Sequence, residues 1–126
     1  MNQLQITPAP LYGTVAAVPS KSDTHRAVIC ALLSRSHCRI HPVDLSMDIR
    51  ATIGAAEAFG AVCIYENRTL TIDASNAFAG KHFTVDCGES GSTLRFLLPV
   101  SAAMGCTTEF TGRGRLPQRP IDLFYT

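Results

Sequence analysis

The sequence predicts an α/β fold assembled from strand-helix-strand-helix-strand-strand units, of which about one and a half are present. Three observations predict it. A polar turn, Pro19-Ser20-Lys21-Ser22-Asp23-Thr24-His25-Arg26, runs directly into the apolar stretch Ala27 to Leu33 and reads as a helix start. Glu89-Ser90-Gly91-Ser92-Thr93-Leu94-Arg95 leads into Phe96 to Ala103 in the same way, so Arg26 and Arg95, 69 positions apart, mark an internal repeat. Between them Val62, Ile64, Leu70 and Ile72 alternate with their neighbours about Glu66-Asn67-Arg68, the pattern of a β-hairpin.

Taken in order, Leu4 to Thr7 reads as a short strand ended by Pro8 and Pro10, and Leu11 to Val18, with Thr14, Val15 and Val18, as a second. Pro19 discourages helix before it, and Ser22, Asp23 and Thr24 are capping residues, so a helix is expected to begin near 22–24 and run to Leu33. Ser34-Arg35-Ser36 breaks it, and Cys38 to His41 with Val43 reads as a strand carried to its end by Pro42. Asp44 to Asp48 offer caps for a helix from Asp48 to Phe59, with Ile49, Ile53, Ala56 and Phe59 on one face and Gly60 as C-cap. The hairpin, 61–65 with 69–73, closes a first unit spanning 11–73.

After a linker at 74–80 the order restarts with a strand at 82–86, a helix at 92–104 and a strand at 106–111. The loop Gly112 to Pro120 carries Arg113, Arg115 and Arg119, and 121–125 reads as a helix opening with Pro120 at its first position. This second unit, 82–126, lacks a helix body and a hairpin by the pattern of the first. The chain is therefore expected to be a fragment of a longer repeat-built protein.

A length of 126 residues fits one domain, and 46% hydrophobic with 17% charged residues is a globular composition. No apolar run approaches the roughly 18 residues of a membrane span, and Met1 to Leu4 lacks the features of a secretory signal, so a cytoplasmic location is expected. A net charge of +1 argues against a general nucleic-acid or anionic-membrane surface. Cys30, Cys38, Cys63, Cys87 and Cys106 are scattered and form no C-x-x-C pair, which points to buried, inert thiols rather than disulfides or a zinc site. The four histidines share no metal-ligand spacing with them, and no metal or cofactor is implied; His37 and His41 read as surface or packing residues.

Chemistry concentrates at the helix starts. Lys21 and Arg26 sit where the helix dipole favours negative charge, a conflict that a bound anion resolves. The alternative is a solvated Lys and Arg beside an ordinary cap. The second copy, with Ser92 and Arg95, and the arginine loop favour one polyanionic site, in which Gly91 lets a ligand approach backbone N–H groups closely. Lys21 supplies a point charge able to follow charge that develops in a reaction.

Pro19-Ser20-Lys21-Ser22 with Arg26-Ala27, Asp48-Ile49-Arg50, Gly91 to Arg95, and Gly112 with Leu116-Pro117-Gln118-Arg119-Pro120-Ile121 together resemble the 5-enolpyruvylshikimate-3-phosphate synthase family, across essentially the whole chain. The resemblance implies a transferase that moves the enolpyruvyl (carboxyvinyl) group of phosphoenolpyruvate onto shikimate 3-phosphate, on the route to chorismate and aromatic amino acids. It implies an inside-out α/β barrel of two lobes, each of three βαβαββ units. On that pattern residues 1–10 form a strand region pairing with the other lobe, and 11–126 form part of the shikimate-3-phosphate-binding lobe. Lys21, Ser22 and Arg26 match positions that hold shikimate 3-phosphate. Lys21, Gly91 and Arg119 match positions that hold phosphoenolpyruvate, with Ser92 and Arg95 in support. Lys21 acts electrostatically, and Asp48 is expected to be a structural cap.

Thr24, His25 and Glu89-Ser90 depart from the family's more usual Ser, Asn and Asn-Ala; a carboxylate at Glu89 weakens an anion site unless it points away or pairs with Arg95 or Lys21. The family's proton-transfer residues, a carboxylate pair and a lysine in the opposite lobe, have no counterpart here, so the fragment alone is expected to be inactive. The strand edge at 4–7, without its partner, favours self-association.

Two other readings stay open. The sister transferase acting on UDP-N-acetylglucosamine typically has Asn after the lysine and a Cys in the arginine loop, whereas this chain has Ser22 and no Cys after Cys106. A non-catalytic module binding phosphometabolites or nucleic acid is the other; few aromatics lie near the basic residues to stack on bases.

Overall fold

A computed structural model describes residues 3–124. Its elements run α1 (Lys21–Ser34), β1 (His37–Ile40), α2 (Met47–Ala58), β2 (Val62–Glu66), β3 (Thr69–Asp73), β4 (His82–Asp86), α3 (Gly91–Ala103) and β5 (Thr107–Thr111), followed by 3₁₀ turns at Leu116–Gln118 and Asp122–Phe124. The expected helix opening at 121–125 is thus one 3₁₀ turn, with Tyr125 outside the described residues.

The first sheet has the order β1-β3-β2, antiparallel throughout, with His37 opposite Asp73 and Val62 opposite the same residue from the other side. The hairpin is tighter than the three-residue turn expected. Asn67 and Arg68 alone make it, both at positive φ (48° and 59°), which matches the right-handed twist of the strands they join. The second sheet pairs β4 with β5 in parallel, His82 opposite Thr107, across the α3 crossover.

Two expected strands are not formed. Residues 3–18 have no regular secondary structure, and Leu4, Ile6, Leu11, Tyr12, Val15 and Val18 are 78–95% exposed. β-branched residues favour a strand only when an edge is there to receive them. By the internal repeat, residues around 13–17 correspond to β4; β4 has β5 beside it, while among the described residues no strand lies on the outer edge of β1.

The helices begin where a serine caps them. Ser20, Ser46 and Ser90 each accept the backbone N–H three residues on, from Asp23 (3.2 Å), Ile49 (3.3 Å) and Thr93 (3.2 Å). α1 therefore starts at Lys21, earlier than Ser22 to Thr24, because Pro19 lies one position outside the cap and does not obstruct it. Ser46, and not Asp48, is the cap of α2; Asp48 lies inside the first turn.

Val28, Leu32, Ile49, Phe59, Leu70, Ile72, Val85 and Leu97 form the centre of one core. α2 packs against strands of both sheets, β2 and β4, and just beyond its end the Phe59 ring is 4.9 Å from Phe78 and 5.2 Å from Phe83. The buried face of α2 is Ile49, Thr52, Ala55 and Ala56, with Ile53 only half-buried, so Thr52 takes the place expected of Ile53. Cys87 is buried and Cys38, Cys63 and Cys106 half-buried, but Cys30 is exposed, on the face of α1 away from the core.

Candidate anion site at three helix starts

The starts of α1, α2 and α3 are tied together. Lys21 Nζ lies 2.7 Å from Asp48 Oδ2, joining the first turns of α1 and α2. Both side chains are partly exposed, so the pair is screened and adds little stability, about 0–1 kcal/mol. Beneath it, His25 Nδ1 is 2.7 Å from Thr52 Oγ1, and Thr52 Oγ1 is 2.7 Å from Thr93 Oγ1, which joins α2 to α3. Thr93 donates in turn to Ser90 Oγ at 2.7 Å. Three ends carrying free N–H groups and partial positive charge thus share one neighbourhood, with Lys21 among them.

The arginine loop closes over α3. The Arg119 guanidinium lies directly against Gly91: a β-carbon there would collide with one of its terminal nitrogens. Gly91 has an ordinary helical backbone, so its missing side chain matters for this close approach alone. Arg95 donates to the Pro120 carbonyl oxygen at 3.3 Å, holding the far end of the loop. Arg113 is 3.9 Å from Asp86. Glu89 turns its carboxylate onto Gly114, where φ is +58°, and pairs with neither Lys21 nor Arg95, which bond Asp48 and Pro120.

Sequence reasoning named Lys21, Gly91, Ser92, Arg95 and Arg119, and these fall at the converging helix starts or the loop above them. Ser22 is exposed in the first turn of α1. Arg26 is displaced from the repeat: it is the sixth residue of α1, whereas Arg95 is the fifth of α3, so the two project about 100° apart. Arg26 bonds Asp23 at 3.2 Å on the outer side of its helix.

Thr52, Thr93, the cap Ser20 and the Lys21 partnership of Asp48 were missed. A threonine within an apolar helical run carries no local sign that its hydroxyl is buried and bonded. His25 is 1% exposed, and burial lowers its pKa from the ordinary histidine value; the Asp48 carboxylate opposes the shift and the Lys21 ammonium adds to it. Burial also pushes the Cys63 and Cys87 thiols up to about 11, in keeping with inert cysteines at those two positions. No helix among the described residues is long and apolar enough to cross a membrane.

The family model for EPSP synthase (3-phosphoshikimate 1-carboxyvinyltransferase) matches residues 6–126. The chain is 43% identical to the 3-phosphoshikimate 1-carboxyvinyltransferase of Clostridioides difficile (strain 630), over 99% of its own length and 31% of that protein. It is 42% identical to the enzyme of the same name from Clostridium kluyveri and 43% to that of Clostridium perfringens (strain SM101), again over 99% of this chain and 29% and 30% of those proteins. It thus spans about 30% of the length of these relatives. With a match that runs from residue 6 to residue 126, the chain belongs to the EPSP synthase (3-phosphoshikimate 1-carboxyvinyltransferase) family.

Proposed function

We propose that this chain is part of a cytoplasmic enolpyruvyl transferase that moves the carboxyvinyl group of phosphoenolpyruvate onto the 5-hydroxyl of shikimate 3-phosphate, with release of phosphate. The observation that carries the proposal is the convergence of three Ser-capped helix starts on Lys21, with the Arg119 guanidinium over the bare backbone of Gly91. Preorganised donors of this kind stabilise anionic groups and the charge that builds on them during reaction.

In this reading Lys21, Ser22 and Arg26 hold shikimate 3-phosphate, and Lys21, Gly91 and Arg119 hold phosphoenolpyruvate, with Ser92 and Arg95 supporting the second anion. Lys21 is held by Asp48 until a ligand arrives. Their exposed ion pair is weak, so a doubly charged phosphate competes for the ammonium on favourable terms. Lys21 then faces both substrates and follows the charge of the leaving phosphate. Among the described residues the carboxylate at this site, Asp48, is paired with Lys21, so proton transfer is assigned to the rest of the enzyme and the chain alone binds without turning over.

The same reading assigns the fold. In the whole enzyme, residues 11–73 and 82–126 are one whole and one partial βαβαββ unit of an inside-out α/β barrel, and there the segment around 13–17 adds to the edge of β1 as β4 adds to β5. Residues 1–10 pair with the opposite lobe, and without it the unpaired edges favour self-association.

An amide NMR titration of the 126-residue chain with shikimate 3-phosphate, before and after adding phosphoenolpyruvate, tests this. Saturable shifts at Ser22 and Arg26 with the first ligand, followed by new shifts at Arg119 and a further change at Gly91 with the second, are expected. A well-dispersed spectrum that ignores both ligands but responds to UDP-N-acetylglucosamine or to single-stranded nucleic acid overturns the assignment.

A further inference from the structure

Below the anion site runs a chain of polar side chains to which the binding roles above assign nothing. His25, Thr52, Thr93 and Ser90 come from three helices and are each at most 1% exposed. Four polar groups are costly to bury, and such networks persist where every link is made. Here the links are 2.7 Å throughout.

Each hydroxyl has one proton, and this orders the chain. Thr93 donates to Ser90, so the 2.7 Å contact between Thr52 and Thr93 is made with the Thr52 proton, Thr93 lying closer to Thr52 Oγ1 than the Asp48 carbonyl oxygen at 3.2 Å, and Thr52 accepts from a protonated His25 Nδ1. His25 Nε2, the buried side-chain nitrogen or oxygen without a partner among the described residues, is then a lone pair and not a stranded N–H.

The chain also touches the site at both ends. His25 precedes Arg26 and lies one turn after Lys21, Thr52 lies one turn after Asp48, and Ser90 caps α3 immediately before Gly91. Apolar contacts let helices slide by fractions of an ångström, whereas short directional bonds fix their spacing.

We propose that His25, Thr52, Thr93 and Ser90 act as a positioning chain that sets the distance between the Lys21 end and the Gly91 end of the site, so that an anion seated on α1 is felt at the start of α3. The inference rests on the binding reading above.

Thr52→Val removes the central hydroxyl at nearly constant volume, and Thr52→Ser keeps it. In the unliganded chain, Thr52→Val is expected to move the Gly91 and Ser92 amide resonances and Thr52→Ser to leave them close to wild type. With shikimate 3-phosphate, wild type and Thr52→Ser show shifts at Ser22 to Arg26 accompanied by shifts at Gly91 and Ser92. Thr52→Val keeps the first set and loses the second, with affinity down roughly 2- to 12-fold. Imidazole ¹⁵N spectra are expected to show Nδ1 protonated and Nε2 not.

A purely space-filling role makes both variants behave alike, and wild-type Gly91 and Ser92 shifts in Thr52→Val overturn the proposal. If the wild-type chain ignores shikimate 3-phosphate, the binding reading falls, while the unliganded comparison still decides for or against the chain.

Discussion

At the level of single residues, His25 links the site to pH. Its folded pKa lies below the ordinary 6.5 because the buried imidazole resists charging, with Asp48 opposing and Lys21 reinforcing that resistance. Between the folded value and 6.5 the unfolded chain binds a proton that the folded chain does not. The contribution of His25 is therefore complete above pH 6.5 and is lost as pH falls through that value toward the folded one. Urea unfolding midpoints followed downward from about pH 7.5 are expected to hold and then decline below 6.5. The His25→Asn variant should lose the imidazole's share of that decline; an identical slope in both proteins would contradict it.

At the level of elements, the three helix caps look alike and are not. Ser46 is exposed and offers its oxygen to one N–H, so Ser46→Ala should cost about 1 kcal/mol. Ser90 is buried and also receives the Thr93 hydroxyl, so Ser90→Ala strands a buried donor and should cost a further 1–3 kcal/mol or so. Chemical denaturation of the two variants checks this, and equal losses would mean that the Thr93 hydroxyl finds another partner. The same bonding explains the rotation of α2. Thr52 is buried because two hydroxyl or imidazole partners await it, which frees Ile53 to the half-exposed flank.

At the level of the whole molecule, two small sheets share one core, with α2 packed against strands of both and the Phe59, Phe78 and Phe83 rings clustered beyond its end. Residues 3–18 stand outside it with their apolar side chains exposed. Removing the first 18 residues should therefore shift the thermal midpoint by less than about 4 °C, the effect of a surface change near 0.5 kcal/mol. A drop of about 10 °C or more would show that this segment docks on the core in solution.

What could be determined from the sequence alone was what neighbouring residues decide between themselves. The alternating hairpin, the Ser-rich helix starts, the cations gathered at them and the family motifs are all short-range patterns, and they gave the order of helices and strands from α1 onward and singled out Lys21, Gly91 and Arg119 as candidates. Tertiary structure alone decided which groups meet across the chain: Lys21 with Asp48, Thr52 with Thr93, Arg119 with Gly91. It also decided that Leu4 to Val18 has no strand partner here. The division is physical. A cap or a turn is satisfied within a few residues, whereas a buried hydroxyl or a strand edge is satisfied only by a group from a distant segment, and its sequence carries no mark of which one.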